Sequence, residues 1–193
     1  VQIKLTSPPI SKERNILGIS REELLSFMLE FENQPKRASM RVSQLWSWIY
    51  CHGITSFEKM TNIDKNLRAK LIEAFKVSRP NIEKKEMSND GTIKYLFCLD
   101  DNSKIETVFI PEETRSTLCI SSQVGCTLSC SFCHTGTQKL VRNLSSQEII
   151  GQVIGVYDDL DLWKKMKNDK GISSYFEVIT NIVFMGMGEP LLN

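Results

Sequence analysis

The stretch Gly125-Cys126-Thr127-Leu128-Ser129-Cys130-Ser131-Phe132-Cys133-His134 carries three soft sulfur ligands in a C-x3-C-x2-C spacing. Thiolates this close in sequence can converge from one loop on a single inorganic centre. The number of thiolates matters, because a structural zinc site is closed by four protein ligands and an ordinary four-iron cluster takes four cysteines. Three thiolates on a 4Fe-4S cluster leave one iron open to a small molecule, as catalytic metal sites keep a position open. Two plainer readings stand beside this one. The cysteines could be buried apolar fillers, or Cys126, Cys130, Cys133 and His134 could close a zinc site. His134 is a poor fourth ligand, because it directly follows Cys133 and has little chain with which to swing its ring onto the same ion.

A second stretch with chemical potential is Gly186-Met187-Gly188-Glu189-Pro190. Glycines let the backbone approach a ligand closely, and a glutamate can accept hydrogen bonds from an ammonium group. By itself such a glycine motif is weak. Cys119 precedes the first loop cysteine, and Glu106 lies in a β-rich run. Read alone, a strand cysteine packs in a core and a strand glutamate faces solvent. Cys51 and Cys98 have no ligand partner nearby in sequence and read as packing residues.

These residues need a frame. Residues 1–19, with Pro8, Pro9 and scattered charge, read as a poorly ordered lead-in. Ser20 with Glu23 forms a capping box, and Leu24, Phe27, Met28 and Phe31 follow at helical spacing, so a helix is predicted over 21–32 and ended by Pro35. A second helix over about 37–51 puts Val42, Leu45, Trp46 and Ile49 on one face, with Arg37 and Arg41 on a solvated basic edge. A third follows the start signal at Thr61–Asp64 and runs to about Lys76. Residues 20–78 thus read as a small helical domain. Pro80 and the Asn89-Asp90-Gly91 turn change the period, and 82–110 alternates as a hairpin or small sheet within a β extension over 79–115.

From 116 on, a short apolar stretch leads into the cysteine loop. Ser145 and Glu148 repeat the capping box before the helical face Ile149, Ile150, Val153, Ile154, Tyr157 and Leu160. The polar run 164–174 reads as a surface insertion, and Val178–Met185 as a buried strand ending at Gly186. Strand, loop, helix, strand is a βαβ unit with a parallel, right-handed crossover. The fold class is α/β.

Composition narrows the function classes. With 41% hydrophobic residues in 193, the chain can build a real core, and its net charge of +1 does not announce a nucleic-acid binder. RNA contact would come from local basic residues such as Lys139 and Arg142. No apolar run approaches the roughly 18 residues of a membrane span, and the start lacks the order of a secretory signal, so the chain reads as cytoplasmic with no membrane partner. In a reducing compartment its six cysteines read as catalytic, metal-binding or buried rather than paired in structural disulfides. The chain starts at Val1 and stops just after the glycine-rich motif, so both ends read as cut.

The spacing of Cys126, Cys130 and Cys133 resembles that of the radical S-adenosylmethionine (SAM) enzymes. A closer resemblance, to the RlmN family, rests on Ile105-Glu106-Thr107-Val108-Phe109-Ile110-Pro111-Glu112, on the run from Cys119 to Arg142-Asn143-Leu144, and on Gly186-Met187-Gly188-Glu189-Pro190-Leu191. Gln44-Leu45-Trp46-Ser47-Trp48-Ile49-Tyr50 is similar to that family's N-terminal accessory domain. The likeness covers nearly all of residues 20–193. It implies a radical SAM methyltransferase acting on carbon 2 of adenosine in 23S rRNA and tRNA, built as a helical accessory domain, a β extension and, over 116–193, the first βαβ part of an incomplete radical SAM (βα) partial barrel.

The resemblance also implies roles. Cys126, Cys130 and Cys133 would ligate a 4Fe-4S cluster that passes one electron to SAM, while Gly188 and Glu189 contact SAM. Glu106 would accept a proton. Cys119 would be the resolving cysteine, which attacks a methylene-bridged protein–RNA intermediate and forms a transient disulfide with a second catalytic cysteine; such a thiol must be accessible and partly ionised. The implied partners are 23S rRNA, tRNA and a flavodoxin-like electron donor. One departure stands out. The family's other catalytic cysteine lies far into its carboxyl half, and no cysteine follows Cys133 here. The barrel needs several βα repeats of about 30 residues or more, so the resemblance implies a fragment, or a split or decayed gene product, with a missing C-terminal half, inactive alone and with an unpaired edge after its last strand. Two other readings stay open: a related enzyme methylating adenine carbon 8, and a zinc-binding RNA-binding module without catalysis.

Overall fold

The computed structural model describes residues 14–163 and 179–193. The chain divides into two compact units, the first ending at Ser78 and the second starting at Arg79. In the first, α1 (Arg21–Leu29), α2 (Pro35–Tyr50) and α3 (Lys65–Ala74) surround a core that includes Leu24, Met28, Leu45, Ile49, Met60 and Leu71. The capping box at Ser20 forms as expected: the Glu23 N–H donates to Ser20 Oγ at 3.2 Å, and the Ser20 N–H donates to the Glu23 carboxylate at 3.0 Å.

Four details of this unit differ from the sequence reading. Helix α1 stops at Leu29, well before Pro35, and Pro35 instead opens α2 at its first turn, where a missing N–H leaves nothing unsatisfied. Residues 14–19, expected in the lead-in, are packed: Ile16 and Leu17 are fully buried, and the Ile16 N–H donates to Lys76 O at 2.9 Å. That bond holds Lys76 in a bridge with Asn15 rather than in α3. Arg41 is not on a solvated edge. It is 8% exposed, 3.5 Å from the Glu32 carboxylate and 3.3 Å from that of Asp64, because carboxylates from two other segments converge on it.

The second unit is a mixed sheet with a helix on one face. Its strands are β1 (Asn81–Met87), β2 (Ile93–Cys98), β3 (Lys104–Pro111), β4 (Ser116–Cys119), β5 (Gln123–Val124), β6 (Arg142–Asn143) and β7 (Asn181–Val183), with α4 (Ser146–Asp159) between β6 and β7. The larger sheet runs β1-β2-β3-β4-β7, antiparallel up to β4 and parallel between β4 and β7. Strand β4, helix α4 and strand β7 therefore form the expected βαβ connection.

Alternation sorts the sheet into two faces. Ile93, Tyr95, Phe97, Ile105, Phe109 and Leu118 pack into one core with Val156 of α4. Gly155 lets α4 come close, since a Cβ there would sit 2.8 Å from the Phe97 ring. Lys94, Leu96, Glu106, Val108 and Cys119 occupy the opposite face, with Val108 directly across from Cys119. Strand β7 is shorter and wetter than the buried strand expected over Val178–Met185. Ile182 is 48% and Met185 80% exposed, because among the described residues β7 has a sheet neighbour only in β4. Val178 and the expected insertion at 164–174 lie outside the described residues.

Candidate metal and ligand site

The cysteine loop is stapled at its base. Gln123 pairs with Asn143 and Val124 with Arg142 across β5 and β6, and Cys126 bridges Lys139. Gly125 makes the entry turn at φ 77°, where an added Cβ would lie 2.2 Å from the Lys139 carbonyl oxygen, so only glycine fits. Within the loop the Cys133 N–H donates to Cys130 O at 3.2 Å and the Gly136 N–H to Cys133 O at 3.0 Å. The Leu128 N–H donates to Cys126 Sγ at 3.4 Å.

Cys126, Cys130 and Cys133 are each partly exposed free thiols. The donor set suits a thiophilic centre: three soft sulfurs in one loop with a backbone donor at one of them. Among the described residues, however, no three Cys, His, Asp or Glu side chains already converge as a metal cage. The loop therefore holds the three cysteines near one another in sequence without pre-assembling their sulfurs, and gathering thiols is coupled to their deprotonation by a metal.

The Gly186–Glu189 turn docks on the β4–β5 connection through backbone groups. The Gly186 N–H donates to Ile120 O at 3.1 Å, and the N–H groups of Ser122 and Gln123 donate to Met187 O at 2.8 and 3.1 Å. The Met187 N–H donates to Ser121 Oγ, which in turn donates to the Glu106 carbonyl at 2.6 Å. Gly188 has φ 99°, and a Cβ there would sit 2.5 Å from Gln123 Cβ. The Glu189 N–H donates to Gln123 Oε1 at 3.1 Å, while its carboxylate accepts from the Leu191 N–H at 3.0 Å. The cysteine loop and the Gly188–Glu189 turn are thus brought together at Gln123.

Glu106 and Cys119 share the sheet face opposite α4, offset by two residues along β3. The Glu106 carboxylate is 3.5 Å from Lys94 Nζ. Cys119 is partly exposed, as the loop cysteines are. Burial pushes its pKa up, only partly offset by a backbone hydrogen bond from Met185, so the unassisted residue is held as the neutral thiol. The Arg142 guanidinium donates to Asp101 at 2.8 Å and to both oxygens of Glu148 at 2.8 and 2.9 Å.

Sequence reasoning missed the two buried glutamines that tie this region together. Gln152 of α4 is fully buried and accepts from Thr107 Oγ1 and the Ser121 N–H at 2.8 Å each, while donating to Ser121 O at 3.0 Å. Gln123 does the same for the two loops. Gln152 stands at helical spacing beside the apolar face of α4, whereas Gln123 lies in a run, Ser121–Val124, that is buried throughout and that no period marks.

Among solved structures, the chain is similar to a radical SAM methyltransferase from Sphaerobacter thermophilus, with a TM-score of 0.74 and 32% identity, the match covering 93% of this chain and 48% of that one. The fold of this chain is thus similar to that of about half of a radical SAM methyltransferase. Residues 14–77 match the family model described as the ribosomal RNA large subunit methyltransferase N-terminal domain. The dual-specificity RNA methyltransferase RlmN of Paracoccus denitrificans (strain Pd 1222) is 50% identical over 185 residues, which is 96% of this chain and 46% of that protein. RlmN of Jannaschia sp. (strain CCS1) is 48% identical over 190 residues, 98% of this chain and 47% of that protein. Over nearly its whole length the chain is similar to RlmN proteins, and it spans about half the length of the relatives it matches.

Proposed function

We propose that this chain forms the amino-terminal part of a radical SAM RNA methyltransferase that acts on carbon 2 of adenosine in 23S rRNA and tRNA. The observation that carries the reading is the 50% identity to an RlmN over 96% of the chain, a match long enough to run through the three-cysteine loop. In this reading 20–78 is the helical accessory domain, 79–115 the β extension and 116–193 the start of a (βα) partial barrel, with β4, α4 and β7 as its first βαβ unit.

Cys126, Cys130 and Cys133 would hold a 4Fe-4S cluster, which would supply one electron to SAM. Gly188 lets the backbone approach SAM, and Glu189 accepts hydrogen bonds from its ammonium group. Glu106 accepts a proton on the sheet face that it shares with Cys119. Cys119 is the resolving thiol, and its raised pKa calls for a base to take its proton before it attacks. RNA and a flavodoxin-like reductant are the partners, in the cytoplasm.

Anaerobic reconstitution with iron and sulfide tests the reading. About four irons and four sulfides per chain are expected, with near-complete loss on Cys130→Ala. One zinc and no sulfide would overturn it in favour of a structural metal site.

A further inference from the structure

We propose that Gln123 is a positioning residue that locks the cysteine loop to the Gly188–Glu189 turn, so that ordering one orders the other. The side chain is fully buried, and one amide serves both loops. Its Oε1 accepts from the Glu189 N–H at 3.1 Å and from the Thr127 N–H at 3.3 Å. Backbone N–H groups can only donate, so the atom facing them is the oxygen and the amide has one orientation. Its Nε2 then donates to Thr127 Oγ1 at 3.0 Å and to Asn143 Oδ1 at 2.9 Å.

Gln123 thus reaches the residue directly after Cys126, the strand by which the loop exits, and Glu189. The clamp is tight because Gly188 has no side chain where a Cβ would lie 2.5 Å from Gln123 Cβ. The consequence for catalysis rests on the reading of Cys126, Cys130 and Cys133 as cluster ligands and of Gly188 and Glu189 as SAM contacts. A ligand held at both places needs their separation fixed to within about 0.5 Å. Gln123 touches neither the metal nor SAM in that reading and acts through the two backbone segments it joins.

Amide hydrogen exchange on the intact chain, with and without iron and sulfide, tests the lock through Gln123→Leu and Gln123→Glu. Leucine removes the acceptor. Glutamate keeps an acceptor oxygen for Thr127 and Glu189 and loses the donor toward Asn143. Before loading, Gln123→Leu is expected to speed exchange at Thr127 and Glu189 together by roughly tenfold relative to Gln123→Glu. After loading, protection at Thr127 should spread to Glu189 in the unsubstituted chain and in Gln123→Glu, and stop at Thr127 in Gln123→Leu. Rates that follow the melting temperatures of the variants, or equal protection of Glu189 in Gln123→Leu, would overturn the proposal. If the unsubstituted chain takes up no iron and sulfide, the cluster reading fails, and the comparison before loading still decides the lock.

Discussion

The guanidinium of Arg142 meets the carboxylate of Glu148 end-on, with Nη2 2.8 Å from one oxygen and Nη1 2.9 Å from the other. Glu148 is also the reciprocal half of a capping box, accepting from the Ser145 N–H at 2.8 Å and from Ser145 Oγ at 2.9 Å. The same arginine reaches Asp101, in the turn between β2 and β3, through Nε. One side chain therefore fastens the exit of the cysteine loop to the start of α4 and to the hairpin turn. Planar, two-point geometry of this kind is what arginine provides and lysine does not.

Replacing Arg142 with Ala should destabilise the chain by about 2 kcal/mol, chiefly because the half-buried Glu148 carboxylate loses its two-point partner, with the exposed Asp101 adding little. Arg142→Lys should recover less than half of that loss. Urea unfolding monitored by circular dichroism measures both. Equal stability of the lysine variant and the unsubstituted chain would show that charge alone matters.

Acid should weaken the same junction. Burial opposes ionisation of Glu148, but hydrogen bonds from Arg142 and Ser145 outweigh it and hold the pKa below the ordinary carboxylate value. Asp101 is held low chiefly by Arg142 and then by the Ser103 N–H. A folded-state pKa below the unfolded one means stability that is fully present above the unfolded value, about 4.3 for glutamate, and lost as pH falls through the folded value. The stability gap between the unsubstituted chain and Glu148→Gln should be widest near pH 7 and shrink below about pH 4. A gap independent of pH would contradict the assignment.

Gly125 admits no side chain. Its φ of 77° and the Lys139 carbonyl 2.2 Å from an added Cβ combine backbone strain with a clash against main chain, so Gly125→Ala should cost on the order of 2–4 kcal/mol or displace the loop. Gly53, also at positive φ (57°) but with no close neighbour to meet a Cβ among the described residues, is the control, and its alanine variant should lose about 1 kcal/mol. Thermal melts of the two variants distinguish clash from strain.

Cys119 should react slowly with iodoacetamide at neutral pH. Because burial raises its pKa, the midpoint of the rate against pH should lie above the value of about 8.5 for a free cysteine. Peptide mapping after timed alkylation resolves it from the other cysteines. A midpoint below that value would mean that a base already activates the thiol.

What could be read from the sequence was what local chemistry encodes. Both capping boxes, Ser20 with Glu23 and Ser145 with Glu148, close within one helical turn, and both form as expected. The alternation of Ile93, Tyr95 and Phe97 likewise sets one face of β2. Arg41 was misjudged because its partner Asp64 lies in another segment, where helical periodicity carries no information. Pro35 was misjudged because proline both ends and begins helices, and only the chain path decides which. The apolar run into β7 reads as buried, yet burial depends on neighbours that periodicity cannot count. The motifs around Cys126 and Gly188 were visible one at a time, whereas the amide that joins them lies in an ordinary strand pair.

The central claim is that the cysteine loop leaves one iron open for SAM. Electron paramagnetic resonance of the reconstituted, dithionite-reduced chain, recorded with and without SAM, tests it most directly. The signal of a reduced 4Fe-4S cluster is expected to shift when SAM is added. Identical spectra in the presence and absence of SAM would contradict the account.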